Sequence, residues 1–172
     1  MSERSHIGQR DEPRASRPWM EGYGVPAEAD GMLPWQFAVE RLEQSRSYWI
    51  ATASPTGQPH AVPVWGAWLD GAVYFSTAPS SRTARNLAAN PAVEVHLESG
   101  EEVVALEGEA QPVTAMDAET FARLADAFAA KYDGYRPERP EGFYVVRPRV
   151  AYGWTLADFP RSVTRWRFDG VS

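Results

Sequence analysis

Residues 74–91, YFSTAPSSRTARNLAANP, place an apolar strand, a run of hydroxyls and an arginine-bearing helix in immediate succession. Ser80 or Ser81 can cap the helix, so its first free backbone N–H groups point toward the end of the preceding strand, where an anion is well received. Ser76, Thr77, Ser80, Ser81 and Thr83 add hydroxyl donors. Helical spacing sets Arg82 and Asn86 one turn apart on one face with Arg85 beside them, and leaves Ala84, Leu87 and Ala88 for packing on the other. The chemistry such a junction serves is capture of a phosphate. Read without its neighbours, the same stretch is also an ordinary capped surface helix with solvated arginines.

Other chemistries find little footing. The chain has no cysteine, which excludes disulfides, thiolate nucleophiles and zinc-thiolate sites. There is no G-x-S-x-G elbow, and Glu107 and Asp158 have no identifiable partner acid. The only lysine, Lys131, falls inside a helical pattern and not after a glycine loop, so there is no P-loop. Three scattered histidines lack metal-ligand spacing. Of these, His60 lies on a strand between Pro59 and Pro63 and can meet a ligand. His96 alternates with Glu94 and Glu98 and is expected to face solvent.

The elements that must position this junction are mostly strands. SYWIATASP (47–55) and PHAVPVWGAWL (59–69) are aromatic and β-branched, with PTGQ between them for a reversal, so they are expected to pair antiparallel. Asp70-Gly71 is a two-residue hairpin signal and AVYFST (72–77) returns as the third strand of a meander. Trp65 and Trp68 fall on opposite faces of their strand, one for packing and Trp65 for a ligand ring. AVEVHLE (92–98), VVALEGEAQPV (103–113), FYVVRPRVAYGW (143–154) and SVTRWRF (162–168) supply four more strands. Helices are expected after Pro34 (33–45), at 81–89, and at 116–134, where Phe121, Leu124, Ala125, Phe128 and Tyr132 share a face between an Asp117 cap and a Gly134 stop. About seven short strands with two or three helices predict a mainly β (α+β) antiparallel barrel plugged by helices.

Size and charge bound the rest. A chain of 172 residues with 44% hydrophobic residues can bury one substantial core, so residues 31–172 are read as a single domain. Residues 1–30 mix charge, Pro and Gly without periodicity and read as an extended or disordered arm. The net charge of −6 opposes a nonspecific nucleic-acid binder, which needs concentrated positive surface. No apolar run has the length or flanks of a signal peptide or membrane span, so a cytoplasmic location without membrane partners is expected.

Taken together, GQPHAVPVWGAWLDGAVYFSTAPSSRTARNLAANPAV, the ATASPTGQPHAVPV strands and the later LEGEA strand resemble the pyridoxamine 5′-phosphate oxidase-like split-barrel proteins of the flavin and deazaflavin oxidoreductase superfamily, over roughly residues 35–168. The resemblance implies a dimeric split β-barrel with the cofactor ring in a groove between two subunits and its phosphate at the strand-helix junction. Cofactor contacts then fall on His60, Ala61, Val62, Pro63, Val64 and Trp65, on Ser76 and Thr77, and on Ser81, Arg82 and Thr83, with Arg85 and Asn86 beside them. Thr83 stands where the family's phosphate clamp has Lys, and Arg85 is the candidate to compensate. Trp154 and Arg165 match a Trp and an Arg that the family brings across the dimer interface. The shortened clamp, the PVWGAW strand and the TRWRF ending look like the deazaflavin branch. The resemblance therefore implies coenzyme F420, with FMN as the alternative, and hydride transfer to a small conjugated or electron-poor molecule without a dedicated catalytic base. A non-catalytic cofactor- or haem-binding split barrel is the reading from another class.

Overall fold

The computed structural model describes residues 12–169. Nine strands and three helices follow in the order β1 (Arg14–Ser16), α1 (Trp35–Gln44), β2 (Tyr48–Ala53), β3 (Pro59–Val64), β4 (Gly66–Leu69), β5 (Ala72–Ser76), α2 (Arg82–Ala89), β6 (Ala92–His96), β7 (Glu102–Pro112), α3 (Ala118–Lys131), β8 (Phe143–Thr155) and β9 (Thr164–Arg167). All pairings are antiparallel. The sheet runs β1-β9-β8-β7-β6-β2-β3, and β8 also pairs β5, which pairs β4.

The two strands beyond the expected seven have separate origins. Residues 59–69 alternate without interruption, yet their first half pairs β2 and their second half pairs β5. The strand is split at Trp65, which belongs to neither ladder. Gly66 makes the crossing possible, because a Cβ there would lie 2.8 Å from the Tyr74 carbonyl oxygen and 3.0 Å from the Tyr48 ring. The other addition, β1, lies within the segment expected to be an extended or disordered arm: residues 14–16 are extended and pair β9. The Arg17 guanidinium then donates to the carbonyls of Glu28, Asp30, Arg161 and Val163, which ties the following residues to the body. Residues 1–11 lie outside the described residues.

Burial follows from this path. Alternate residues of β2, β6 and β7 turn Tyr48, Ile50, Val93, Val95, Val104 and Leu106 into the barrel, where Trp166 and the buried α1 residues Ala38 and Leu42 join them. From Ala72 to Phe75 strand β5 is apolar because both its faces are covered. Val73 and Phe75 enter the barrel, and Ala72 and Tyr74 pack under Leu124 and Phe128 of α3. Truncating fully buried Phe75 or Phe128 to Ala would each cost about 3–5 kcal/mol. The Asp70-Gly71 turn has positive φ at both positions, 50° and 74°, as a two-residue hairpin of this hand requires. Asp117 caps α3 by accepting from the Thr120 N–H at 2.8 Å.

Candidate functional site

Strand β3 is an edge, and its hydrogen-bond phase can be read from its turn. The Ser54 N–H donates to the Gln58 carbonyl at 2.9 Å, and the register pairs Ala53 with Pro59. Antiparallel ladders alternate bonded and non-bonded pairs, so His60, Val62 and Val64 direct their backbone groups to β2, while Pro59, Ala61 and Pro63 direct theirs to the open side. The prolines, which have no N–H to give, sit where none is needed by the ladder. Ala61 is therefore the position within β3 that offers both an outward N–H and an outward C=O. Between the strands the side chains sort the other way: His60, Val62 and Val64 share the inner face with Tyr48, Ile50 and Thr52, and Pro59, Ala61 and Pro63 lie on the outer face with Trp49, Ala51 and Ala53.

Helix α2 closes one end of this edge. Ser81 is its N-cap and accepts from the Ala84 N–H at 3.0 Å, and the Ser81 and Thr77 hydroxyls lie 2.9 Å apart. Arg82 is exposed, and its guanidinium reaches the outward Pro59 carbonyl at 3.4 Å, which brings the helix start beside the open edge. Arg85 is exposed as well, with its guanidinium on the Ser80 carbonyl at 2.5 Å. Ser76 ends β5, and the exposed or half-buried hydroxyls of Ser76, Thr77, Ser80 and Ser81 cluster at this corner. An uncompensated helix N-terminus, these hydroxyls and the two arginines together suit an anion.

Three expectations need correction. Thr83 and Asn86 do not share the solvent side with Arg82; they are 2% and 4% exposed. The Asn86 amide donates to Thr52 Oγ1 at 3.0 Å and so anchors α2 on β2. Ala88, expected to pack, is exposed. The buried stripe of the helix is Thr83, Ala84, Asn86 and Leu87 because the buried Thr52 hydroxyl supplies a polar partner that helical spacing cannot reveal. His96 is not simply solvent-facing: its ring stacks on Trp49 at 6.0 Å and 6°.

Trp154 and Arg165 lie elsewhere. Trp154 pairs with Val103 on β7, and Arg165 pairs with Tyr152 and with Ser16, whose Oγ accepts from its guanidinium at 3.1 and 3.2 Å. From Pro63 the register passes through Trp49, His96, Ala105 and Tyr152 before Arg165, five strand spacings or roughly 25 Å across the outer face. Within one chain neither residue reaches the β3 edge.

At the opposite end of that edge, Trp65 is 52% exposed and stacks on Tyr132 at 4.3 Å and 7°. The Tyr132 hydroxyl accepts from the Gly66 N–H at 2.8 Å and lies 2.8 and 2.9 Å from the carbonyls of Arg46 and Gly66, between which its single proton is shared. Burial raises its pKa, which keeps it a neutral donor. Tyr135 touches Trp65 edge-on and begins a cleft of about 470 Å³ that runs between the loop after α3 and the Ser76-Thr77 corner. Local sequence does not mark this loop as part of the site. Its only signal was the arginine- and proline-rich YRPERPEG, and just the pairing of Ser76 with Phe143 brings it to the site.

Among the described residues there is no cluster of three or more metal-ligating side chains, and no helix is long and apolar enough to cross a membrane. A family model described as pyridoxamine 5′-phosphate oxidase matches residues 35–155. A conserved hypothetical protein of Mycobacterium tuberculosis is 26% identical and superposes with a TM-score of 0.60 over 74% of this chain and 88% of that one. A haem-binding protein of Mycobacterium smegmatis is 23% identical, with a TM-score of 0.55 over 72% of this chain and 55% of that one. An F420 reductase, 22% identical over 65% of this chain and 93% of that one, superposes at 0.49, too loosely to carry an argument. No curated protein matches the chain.

Proposed function

We propose, given that this chain belongs to the pyridoxamine 5′-phosphate oxidase family, that it is a reductase using coenzyme F420 and delivering hydride to a small conjugated or electron-poor molecule. The observation that carries the reading is the open edge of β3 ending at the serine-capped, arginine-flanked start of α2. From Pro59 to Trp65 the edge spans roughly 20 Å, enough for a tricyclic ring and its phosphate-bearing side chain. The outward N–H and C=O of Ala61 complement the imide edge of such a ring. The Ser81 and Thr77 hydroxyls, the first N–H groups of α2 and Arg82 would receive its phosphate. Bound there, a reduced deazaflavin supplies the hydride, and the chain binds, orients and desolvates.

The charge at the corner favours F420 over FMN. A phosphodiester, as in F420, carries one negative charge, whereas a phosphomonoester carries about −1.5 to −2 near neutral pH. Thr83 is buried and uncharged, and Arg85 is held by the Ser80 carbonyl, whereas the contact of Arg82 with the Pro59 carbonyl is longer, at 3.4 Å, so Arg82 is the α2 arginine more readily turned to the ligand. That is a match for the singly charged group.

The protein is further proposed to act as a homodimer. The outer sheet face carrying Trp49, His96, Tyr152 and Trp154 is only half-buried in one chain, and a second copy laid on it would bring Trp154 and Arg165 to the groove. Fluorescence titration with F420 and with FMN tests the reading. F420 is expected to bind more tightly, and Arg82→Ala to weaken it by about 1.5–3 kcal/mol. Tighter binding of FMN, or an unchanged affinity in the variant, overturns the assignment. Oxidation of the reduced cofactor by a quinone or nitroarene then separates a reductase from a carrier.

A further inference from the structure

We propose that Thr52 and Asn86 are a positioning pair beneath the groove: without touching the ligand, they lock the start of α2 to the Ala61 N–H, so that the phosphate and the ring edge of one cofactor are met at a fixed spacing. The inference rests on the reductase reading for the identity of the cofactor. The lock itself is argued from the chain alone.

Thr52 and Asn86 are 5% and 4% exposed, a depth at which polar side chains need partners. They find each other: the Asn86 amide donates to Thr52 Oγ1 at 3.0 Å. The Thr52 hydroxyl has one proton of its own to give, and the His60 carbonyl, 3.4 Å away, is placed to accept it. The three groups form a line from the middle of α2 to the backbone of β3. Its far end matters because a peptide unit is planar and trans, so the His60 carbonyl and the Ala61 N–H share one plane and point in opposite directions. Holding the carbonyl toward β2 aims the N–H at the open side, where the imide edge of the ring would lie. Hydrogen bonds in a line also polarise one another, which makes that N–H a better donor.

The near end of the line sets the helix. Ala84 and Leu87 are buried with Asn86, but apolar contact has no direction and lets a helix slide or roll. The amide bond to Thr52 restrains both movements. Asn86 follows Arg82 by about one turn, so the capped helix start and its arginine are carried with it. Among the described residues, the other polar link from α2 to β3 is the Arg82 contact with the Pro59 carbonyl. A phosphate that draws Arg82 away breaks that link, and the buried line then keeps the corner and the edge in register. Asn86 is thereby a positioning residue, and not the cofactor contact that its place on the helix suggests.

The test compares substitutions in the full chain. Thr52→Val keeps the shape of the side chain and strands the Asn86 amide, so thermal stability is expected to fall and F420 binding, by fluorescence titration, to weaken about tenfold. Thr52→Ser keeps the hydroxyl and is expected to bind within about twofold of the parent. The double variant Thr52→Val/Asn86→Leu removes both polar partners, so stability is expected to return toward the parent while the affinity for F420 does not. Affinity that recovers together with stability, or that is unchanged in Thr52→Val, overturns the positioning role and leaves only a packing contact. A second readout needs no cofactor. In ¹⁵N-labelled protein the Ala61 amide resonance is expected to shift in Asn86→Leu, which changes no residue of β2 or β3, and to stay near its parent position in Thr52→Ser. An Ala61 resonance that Asn86→Leu leaves unmoved overturns the lock. A parent that binds no F420 sinks the reductase reading, and the lock then stands or falls on the Ala61 resonance.

Discussion

Replacing Ala61 with proline separates what β3 does for the fold from what it does for a ligand. Ala61 lies opposite Ala51 in a non-hydrogen-bonded pair, so its N–H points away from β2 and contributes nothing to the ladder. Pro59 and Pro63 already occupy the positions two residues before and after it on the same edge. The preceding His60 is in extended conformation, which a following proline tolerates. Folding stability is therefore expected to change by less than about 1 kcal/mol in urea denaturation. The bound ring, in contrast, loses a donor and keeps a desolvated carbonyl, which costs about 1–2 kcal/mol, or roughly five- to thirtyfold in Kd. The assays are F420 titration by fluorescence and a denaturation curve on the same preparation. A variant that binds F420 as the parent does would refute the edge-binding geometry. A variant that loses several kcal/mol of stability would show that the Ala61 N–H pairs within the protein and that the phase deduced from Ser54 and Gln58 is wrong.

Other consequences follow from single contacts. Ser81→Ala removes the cap on the Ala84 N–H and is expected to lower stability by about 1 kcal/mol, visible in thermal melts, and to weaken F420 as well because the Thr77 hydroxyl loses its partner. Lys131 lies against Tyr48 with its ammonium on the Tyr48 hydroxyl at 2.7 Å, and burial lowers its pKa to about 8 from an unfolded value of 10.5. Between those values the unfolded chain binds the extra proton, so stability rises with pH from about 8 toward 10. Burial raises the pKa values of Tyr48 and Tyr132, which reverses the trend above pH 10, where the unfolded phenols ionise first. Denaturation midpoints at pH 7.5 and 9.5 are expected to show the gain in the parent and not in Lys131→Met; a flat parent profile contradicts it.

Most of the barrel was legible because its signals are local. Asp70-Gly71 demands a hairpin, AVEVH alternates, and the Asp117 cap and the apolar face of α3 are written within about four turns of helix. The break at Trp65 was not, since PHAVPVWGAWL alternates smoothly and only the divergence of β2 and β5 splits it. Nor could a three-residue β1 be seen when its partner, Arg165–Arg167, comes some 150 residues later. At the site, the serines and Arg82 stand where helix-start chemistry puts them. Thr83 and Asn86 were misplaced because their burial depends on Thr52, a residue of another strand. Tyr135 and its cleft were missed for a related reason: a loop joins a site through the register of the strand that follows it, and that register is not local information.

The most direct test is a crystal structure of the protein with F420. The phosphate is expected within hydrogen-bond distance of Ser81 and the Arg82 guanidinium, with the imide edge of the ring on the N–H and C=O of Ala61. A ring bound away from β3, or a phosphate that leaves Arg82 and the start of α2 facing water, would contradict the central claim.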